Sequence, residues 1–314
     1  MSETAPPEGQ TAPAVLMVRP ARFGYNAETA ASNFFQHAAE QPNDEAARAL
    51  REFDALAGSL SDAGIRVLEF AGQADAALPD EVFPNNWLSL HADGTAVLYP
   101  LCARNRRRER RDDVLAALRA RHGYRIERVV NLTHFEIHGE YLEGTGSVVL
   151  DRQGRVAYAC LSPRTHAAPL AKFAAVLGYE AVTFHAADRS GRPIYHTNVL
   201  LAIGTRFAAL CTSAIADEEQ RRRVVERLTG SGRDLVDLGF DQLDAFAGNM
   251  LELRGTRGPV IALSAAALRS LGAIERRTLE RHGELVTADV ATIERIGGGS
   301  VRCMLAEVSL PRAG

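Results

Sequence analysis

Cys303 closes the run Gly297-Gly298-Gly299-Ser300-Val301-Arg302-Cys303, and is the residue of this chain best placed to attack a carbon centre. Glycines let the backbone approach a ligand closely and can aim amide N–H groups at a developing anion. A thiol reacts as its thiolate, so it needs an imidazole or a field of N–H donors nearby. His196, in Tyr195-His196-Thr197-Asn198, is the candidate companion. At the entrance of an apolar strand expected over 197–203, its ring could protonate a departing amine and then deprotonate water. Glu143, in Leu142-Glu143-Gly144-Thr145-Gly146-Ser147, adds a carboxylate that apolar Leu142 and two flexible glycines would press inward. There it could orient His196 or hold a substrate nitrogen. Each residue alone also has a plainer reading: a packed thiol, a surface imidazole, an acidic turn.

The other cysteines look different. Cys160 and Cys211 sit within apolar segments and read as packing groups. Cys102 ends a strand beside a basic run and carries no assigned role. A rival constellation is His134-Phe135-Glu136-Ile137-His138: on a strand its three polar residues would share one face and could hold a metal. Zinc sites usually draw further ligands from a second cluster, and none with suitable spacing is present, so no metal is expected. The glycine runs do not have the spacing of a dinucleotide fingerprint, and no cofactor is expected.

The three candidates stand at equivalent places in an internal repeat. Ser147, Asn198, Asn249 and Ser300 follow one another at intervals of 51 residues, each in a small or polar start before an apolar stretch. An earlier copy begins at Asn85-Asn86-Trp87 and turns at Asp93-Gly94. Helical patterns are expected over 106–121, 168–177, 218–228 and 265–281 after the hairpins, with a first helix over 44–63. Units of this length cannot bury their apolar faces alone. Four copies, and a chain start able to supply a fifth, imply a closed ring of strand-and-helix blades; a doubly wound sheet with coincidental spacing is the alternative.

Composition fits one enzyme-sized unit. With 314 residues and 46% apolar content, the chain can bury a large core, taken here as a single domain over 15–314. The opening, residues 1–14, is polar with three prolines and reads as a disordered tail. A net charge of -3 without a basic face interleaved with aromatics argues against a nucleic-acid partner. No apolar run approaches bilayer length, so no membrane partner is expected. Four irregularly spaced cysteines suit reduced thiols in a cytoplasm, and a homo-oligomer is compatible with the composition.

Taken together, these residues resemble the guanidine-modifying superfamily of arginine deiminases, dimethylarginine hydrolases and amidinotransferases. Leu142-Glu143-Gly144 is similar to its acidic motif, His196 to its histidine at a strand start, and Gly298-Gly299-Ser300-Val301-Arg302-Cys303 to its glycine-led nucleophile. Ser162-Pro163-Arg164-Thr165 and Arg106-Arg107-Arg108-Glu109 resemble two further motifs. The resemblance spans roughly 15–310 and implies an α/β fold, a five-bladed pseudo-symmetric α/β propeller, with a central Cys-His-Glu site. It also implies that Arg106 and Arg164 bind the α-carboxylate of an amino-acid substrate.

The departures bear on the substrate. Where deiminases carry Asp, this chain has Asn86, in Phe83-Pro84-Asn85-Asn86, and Asn198, in His196-Thr197-Asn198. A buried carboxylate facing a neutral ligand would be an uncompensated charge, whereas an amide offers both donor and acceptor to a ureido group. Asn249 shares the repeat position, so turn geometry is an alternative reason for Asn there. A second departure, Glu143-Gly144-Thr145-Gly146-Ser147 for Glu-Gly-Gly-Asp, loses another acid. The expected activity is hydrolysis of citrulline to ornithine, ammonia and carbon dioxide, as in the bacterial citrulline-utilisation branch. The alternatives are an arginine or methylarginine hydrolase, with carboxylates drawn from Asp80, Glu81 or Glu136, an amidinotransferase, and an inactive propeller used as a binding module.

Overall fold

The computed structural model describes residues 9–38 and 44–313. Within them the repeat becomes five three-stranded sheets of one design. The second is representative. Val149–Asp151 and Val156–Cys160 form an antiparallel hairpin, with Leu150 opposite Ala157. The helix Ala167–Leu177 then crosses over, stopping at Gly178, whose φ of 69° suits glycine. Glu180–Phe184 returns parallel to Val156–Cys160, as a helical crossover permits.

The first sheet repeats this with Leu88–Leu90, Thr95–Leu98 and Arg128–Asn131, and the third with Leu201–Ile203, Phe207–Leu210 and Asp234–Asp237. Leu251–Gly255, Gly258–Ser264 and Glu284–Ala288 make the fourth. The fifth closes the ring from both ends of the chain. Ala14–Arg19 pairs parallel with Arg66–Ala71 and antiparallel with Ala306–Glu307. The chain start therefore does complete a fifth blade, giving the α/β propeller-like arrangement expected.

Sequence periodicity explains the helices that cover these blades. In Glu45–Asp62 the buried residues Ala49, Phe53, Leu56, Ala57 and Leu60 fall at spacings of three and four, one apolar stripe facing the sheet. Each fully buried Leu or Phe contributes roughly 1.5–3 kcal/mol relative to exposure. Asp217 caps Glu218–Gly230 through the amide of Gln220.

Several expected boundaries are corrected. The helix over 106–121 begins only at Asp112, because Asn105–Glu109 forms a separate 3₁₀ turn that brings Arg106 onto Glu109. The helix over 265–281 is two, Ala265–Ser270 and Ala273–Glu280, parted by extended backbone at Leu271 and Gly272. The strand expected over 197–203 starts with a helical turn, Thr197–Leu200, and pairs only from Leu201. Hydrogen bonds across blades favour that turn: the Thr197 hydroxyl donates to Ser147 O at 2.6 Å and accepts from the Cys160 amide at 2.7 Å.

The tail expected over 1–14 lies outside the described residues for 1–8, but residues 9–14 are not a tail. The Gln10 side chain is buried and donates to the carbonyls of Leu150 and Ile203, tying two blades together at the axis. Ala14 already opens a strand. Among the described residues no helix is long and apolar enough to cross a membrane.

Candidate active site

Each blade enters its first strand through a tight turn at the propeller axis, and these turns carry the chemistry. They are Pro84–Asn86, Gly144–Ser147, Thr197–Leu200, the turn closed by the Asn249 amide on Phe246 O, and Val301–Met304. Turn geometry, rather than a plain strand entrance, points successive polar side chains inward.

Glu143 precedes the second turn, and its amide donates to Ser147 Oγ at 2.9 Å. Gly144 has φ +50°, and a Cβ there would lie 2.0 Å from Asn85 O, so only glycine allows this approach. The carboxylate is fully buried. Its Oε1 accepts from the Cys102 amide at 2.9 Å, and its Oε2 lies 2.8 Å from His196 Nε2. Burial alone would raise its pKa, but Arg164, the His196 hydrogen bond and Arg106 outweigh it and hold the carboxyl well below the usual range. Glu143 is therefore an anion at neutral pH.

The ring of His196 answers that anion. A carboxylate only accepts, so the ring proton belongs on Nε2 and the lone pair on Nδ1. Nδ1 faces Gly146, where a Cβ would come within 2.7 Å of it and within 2.5 Å of Asn86 Nδ2. Burial pushes the imidazole down to about 4 despite Glu143. The ring is neutral at neutral pH, a base ready to accept a proton.

Cys303 lies on the fifth turn, 3% exposed. Its Sγ is 3.3 Å from Asn249 Nδ2 and 3.6 Å from Asn198 Nδ2. Burial pushes its thiol up, against the Ser300 backbone, Asn249, Arg302 and Asn198. The preceding glycines serve close packing: a Cβ at Gly297 or Gly299 would strike the Phe83 ring at 2.8 or 3.0 Å. The Gly298 amide, one of those expected to face an anion, donates instead to Glu294 O. Cys160 and Cys211 are buried thiols pushed up to about 12 and about 11 by burial, in keeping with packing roles.

Arg106 is buried and grips Glu109 through Nε and Nη2 at 2.9 and 2.8 Å. Its Nη1 donates to Asn86 Oδ1 at 2.8 Å, and Asn86 Nδ2 donates to Asn85 Oδ1. Arg164 donates from Nε to Ser32 Oγ and from Nη2 to Thr29 O. The Nη1 groups of Arg106 and Arg164 lie 4.0 and 3.6 Å from the same oxygen of Glu143. All seven residues singled out in the sequence are thus buried: Glu143, His196, Arg106, Arg164 and Asn86 form one contact group, in which Asn86 holds an arginine, while Asn198 touches the Cys303 thiol.

Two residues that the sequence reading named without a role in the preferred site stand beside it. Asp80 is buried; its Oδ2 accepts from Asn26 and Thr29 and lies 3.7 Å from Arg106 Nε, while its Oδ1 has no hydrogen-bond partner. The sequence signal was its place among the acids considered for a cationic group. Of the others, Glu81 accepts from the amides of Ala21 and Gln73, and Glu136 is paired with Arg107 and Arg110, so both are occupied structurally. Asn249, read for turn geometry, reaches the thiol; the 51-residue spacing was its signal.

The rival metal constellation fails on geometry. Thr133–His138 is a 3₁₀ helix, not a strand, so His134, Glu136 and His138 do not share a face. Among the described residues no cluster of three such ligands forms.

The cluster is closed. Residues 23–36 lie over it, with Asn33 Nδ2 on the carbonyls of Gly297 and Gly298 and Thr29 on Arg164 and Asp80. A cleft of about 690 Å³ lined by Pro163, His185 and Gln220 lies nearby, but Cys303, His196 and Glu143 do not line it.

A family model described as N,N dimethylarginine dimethylhydrolase, eukaryotic, matches residues 19–310. No curated protein matches the chain. Solved structures do. ArgZ, described as an arginine dihydrolase from the ornithine-ammonia cycle in cyanobacteria, superposes with a TM-score of 0.73 at 18% identity, covering 95% of this chain and 41% of its own. The chain thus spans less than half of full-length ArgZ, but 97% of its substrate-bound N-terminal domain, at a TM-score of 0.72 and 17% identity. A dimethylarginine dimethylaminohydrolase carrying an S-methyl-L-thiocitrulline adduct matches with a TM-score of 0.64 at 14% identity, covering 93% and 98% of the two chains. These structural likenesses speak for the fold.

Proposed function

The chain belongs to the N,N dimethylarginine dimethylhydrolase family, eukaryotic type, and from that premise we propose a thiol-dependent hydrolase that cleaves C–N bonds at the end of a ureido or guanidino amino acid, with citrulline as the preferred substrate. The observations that carry the reading are the buried His196–Glu143 pair and a buried Cys303 on another axial turn, whose sulfur is touched by amides, not carboxylates.

The head of the substrate meets opposite charges. Its α-carboxylate takes the Nη1 hydrogens of Arg106 and Arg164, and its α-ammonium takes the open Oδ1 of Asp80. That position beside Arg106 supports Asp80 at the head, and with it a neutral urea at the amide-lined end.

The Cys303 thiol gives its proton to His196 Nδ1, and the sulfur bonds to the urea carbon. Asn198 steadies the oxygen that gains charge. His196 returns the proton to the terminal nitrogen, the C–N bond breaks and ammonia leaves, with a thiocarbamate on Cys303. Water, deprotonated by the same Nδ1, adds to that carbon and the C–S bond breaks. The carbamic acid released loses carbon dioxide to give ornithine, so one water is consumed for one ammonia and one carbon dioxide. Free thiols at all four cysteines suit a cytoplasmic site of action.

A second reading, arginine as substrate, is favoured by ArgZ, an arginine dihydrolase, and by AgrE, a structural match with L-arginine bound in one structure. Release of ammonia from citrulline and arginine, and of dimethylamine from dimethylarginine, separates the two. Citrulline should be fastest; faster arginine turnover overturns the neutral-end assignment. Turnover only with an added amine would select an amidinotransferase, and no turnover without any Cys303 adduct would leave a binding module.

A further inference from the structure

The proposed chemistry needs sulfur as an anion inside a buried cluster, and the Asn249 side chain is arranged to hold it. The Asn249 amide has three partners on two other segments, the turn of Cys303 and that of Asn198. Oδ1 accepts from the Arg302 backbone amide at 3.0 Å, and Nδ2 donates to Asn198 O at 2.8 Å. These two bonds leave no freedom in the orientation of the amide, because a backbone N–H demands the oxygen and a carbonyl demands the nitrogen. The remaining N–H then faces Cys303 Sγ at 3.3 Å. A fixed donor favours thiolate over thiol.

The repeat supplies the contrast. At equivalent positions the Ser147 hydroxyl is engaged with backbone, at Glu143 N and Arg164 O, and the Asn86 amide with Arg106 and Asn85. Asn198 meets the sulfur with both ends of its amide and at longer range, Nδ2 at 3.6 Å and Oδ1 at 3.8 Å, and so is the weaker donor of the two. A turn needs only the first two bonds of Asn249; the third has no structural use.

We infer that Asn249 is a catalytic residue, the hydrogen-bond donor that holds the Cys303 thiolate before it attacks. The inference rests on the covalent role proposed for Cys303, though not on the substrate chosen. Charged and titratable groups around the sulfur are few. Arg302 on its own turn is paired with Glu307 Oε2 at 2.8 Å, the Tyr195 phenol from the third blade donates to Gly298 O, and the His196–Glu143 pair belongs to the second and third blades. None of these donates to the sulfur as Asn249 does.

The test is the pH profile of Cys303 alkylation by iodoacetamide, followed on the Cys303 peptide by mass spectrometry, which needs no substrate. In N249A the midpoint should rise by about one pH unit, with alkylation at neutral pH about tenfold slower. N249D should move it further, by placing a carboxylate beside the sulfur. N249S, whose hydroxyl can donate and whose residue type the repeat already accepts at Ser147, should recover part of the shift. If N249A does not fold, N249S and N249D decide. An unchanged midpoint in folded variants reduces Asn249 to a turn residue and overturns the proposal. A wild-type thiol that resists alkylation at every pH would sink the covalent reading, and this inference with it; normal alkylation without citrulline turnover would sink the substrate alone.

Discussion

A single oxygen of Glu143 lies 2.8 Å from His196 Nε2 and also faces Arg164 Nη1 at 3.6 Å and Arg106 Nη1 at 4.0 Å. The proposed base and the two cations proposed for the substrate head therefore share one anion. When a ligand carboxylate draws the arginines away, Glu143 is left to His196 alone. Its attraction for the protonated ring then strengthens, because charges in a buried site are poorly screened. On the proposed roles, head-group binding and proton uptake by His196 would be coupled through this atom.

Glu143→Gln should expose that coupling. The amide can turn its NH2 toward the ring and impose the wrong tautomer, so turnover should fall by about 10²–10⁴-fold, the range for general acid–base groups. With no anion competing for Arg106 and Arg164, KM for the amino acid should stay level or fall. Steady-state ammonia release reads both; a KM that rises with little loss of turnover would place Glu143 in head-group binding instead.

Gly146→Ala tests how tightly the base is seated. The new methyl would lie 2.7 Å from His196 Nδ1 and 2.5 Å from Asn86 Nδ2, so one of them must shift. A displacement near 1 Å is expected to cost turnover about 10²-fold, and the overpacking about 1–3 kcal/mol of stability. Circular dichroism and urea unfolding should show a folded, slightly weaker protein with little activity. Near-normal turnover would mean that Nδ1 is not the working nitrogen.

Asp80→Asn examines the head of the substrate. An α-ammonium loses a charged hydrogen bond, which should raise KM for the amino acid about 10–100-fold. The des-amino analogue, which has nothing to offer Asp80, should bind wild type and variant alike. Equal losses for both ligands would show that Asp80 acts by supporting Arg106.

Acid should weaken the fold through two imidazoles. His91 is fully buried between Ser89 and Arg152 and is pushed down to about 3 by burial, while His196 is pushed down to about 4, against an ordinary value of 6.5. Both are neutral in the folded protein, whereas the unfolded chain binds protons below 6.5. Their contribution is complete above 6.5 and is lost as pH falls toward about 4 for His196 and about 3 for His91, at roughly 1 kcal/mol per unit for each group. Urea unfolding of wild type and His91→Gln between pH 7 and 5, a window chosen on the order of the ordinary imidazole range, should give a shallower slope for the variant. Parallel slopes would mean that His91 is already protonated or solvated.

What could be read before folding was periodic. A 51-residue interval, apolar stretches after small or polar starts, and helical stripes were enough for a ring of blades. Residues at matching repeat positions had to meet at its axis, which brought Glu143, His196 and Cys303 into view. Shorter-range features were less legible. The axial turn at 197–200 read as a strand entrance, because the bonds that bend it, from Thr197 to Ser147 and Cys160, come from another blade. Residues 9–14 read as a tail, because nothing in Gln10 announces carbonyl partners at Leu150 and Ile203.

Local order along the chain thus determined the repeat, the ring and the corners where chemistry could stand, since backbone periodicity and apolar patterning are properties of neighbouring residues. Only the tertiary structure decided how three asparagines at matching positions differ in use: Asn86 bound to Arg106, Asn198 and Asn249 turned to Cys303. It likewise left Asp80 with an open oxygen beside Arg106. The hydrogen-bonding capacity left on a buried side chain depends on which partners approach from other blades, and those partners lie tens to hundreds of residues away, beyond the reach of any local pattern.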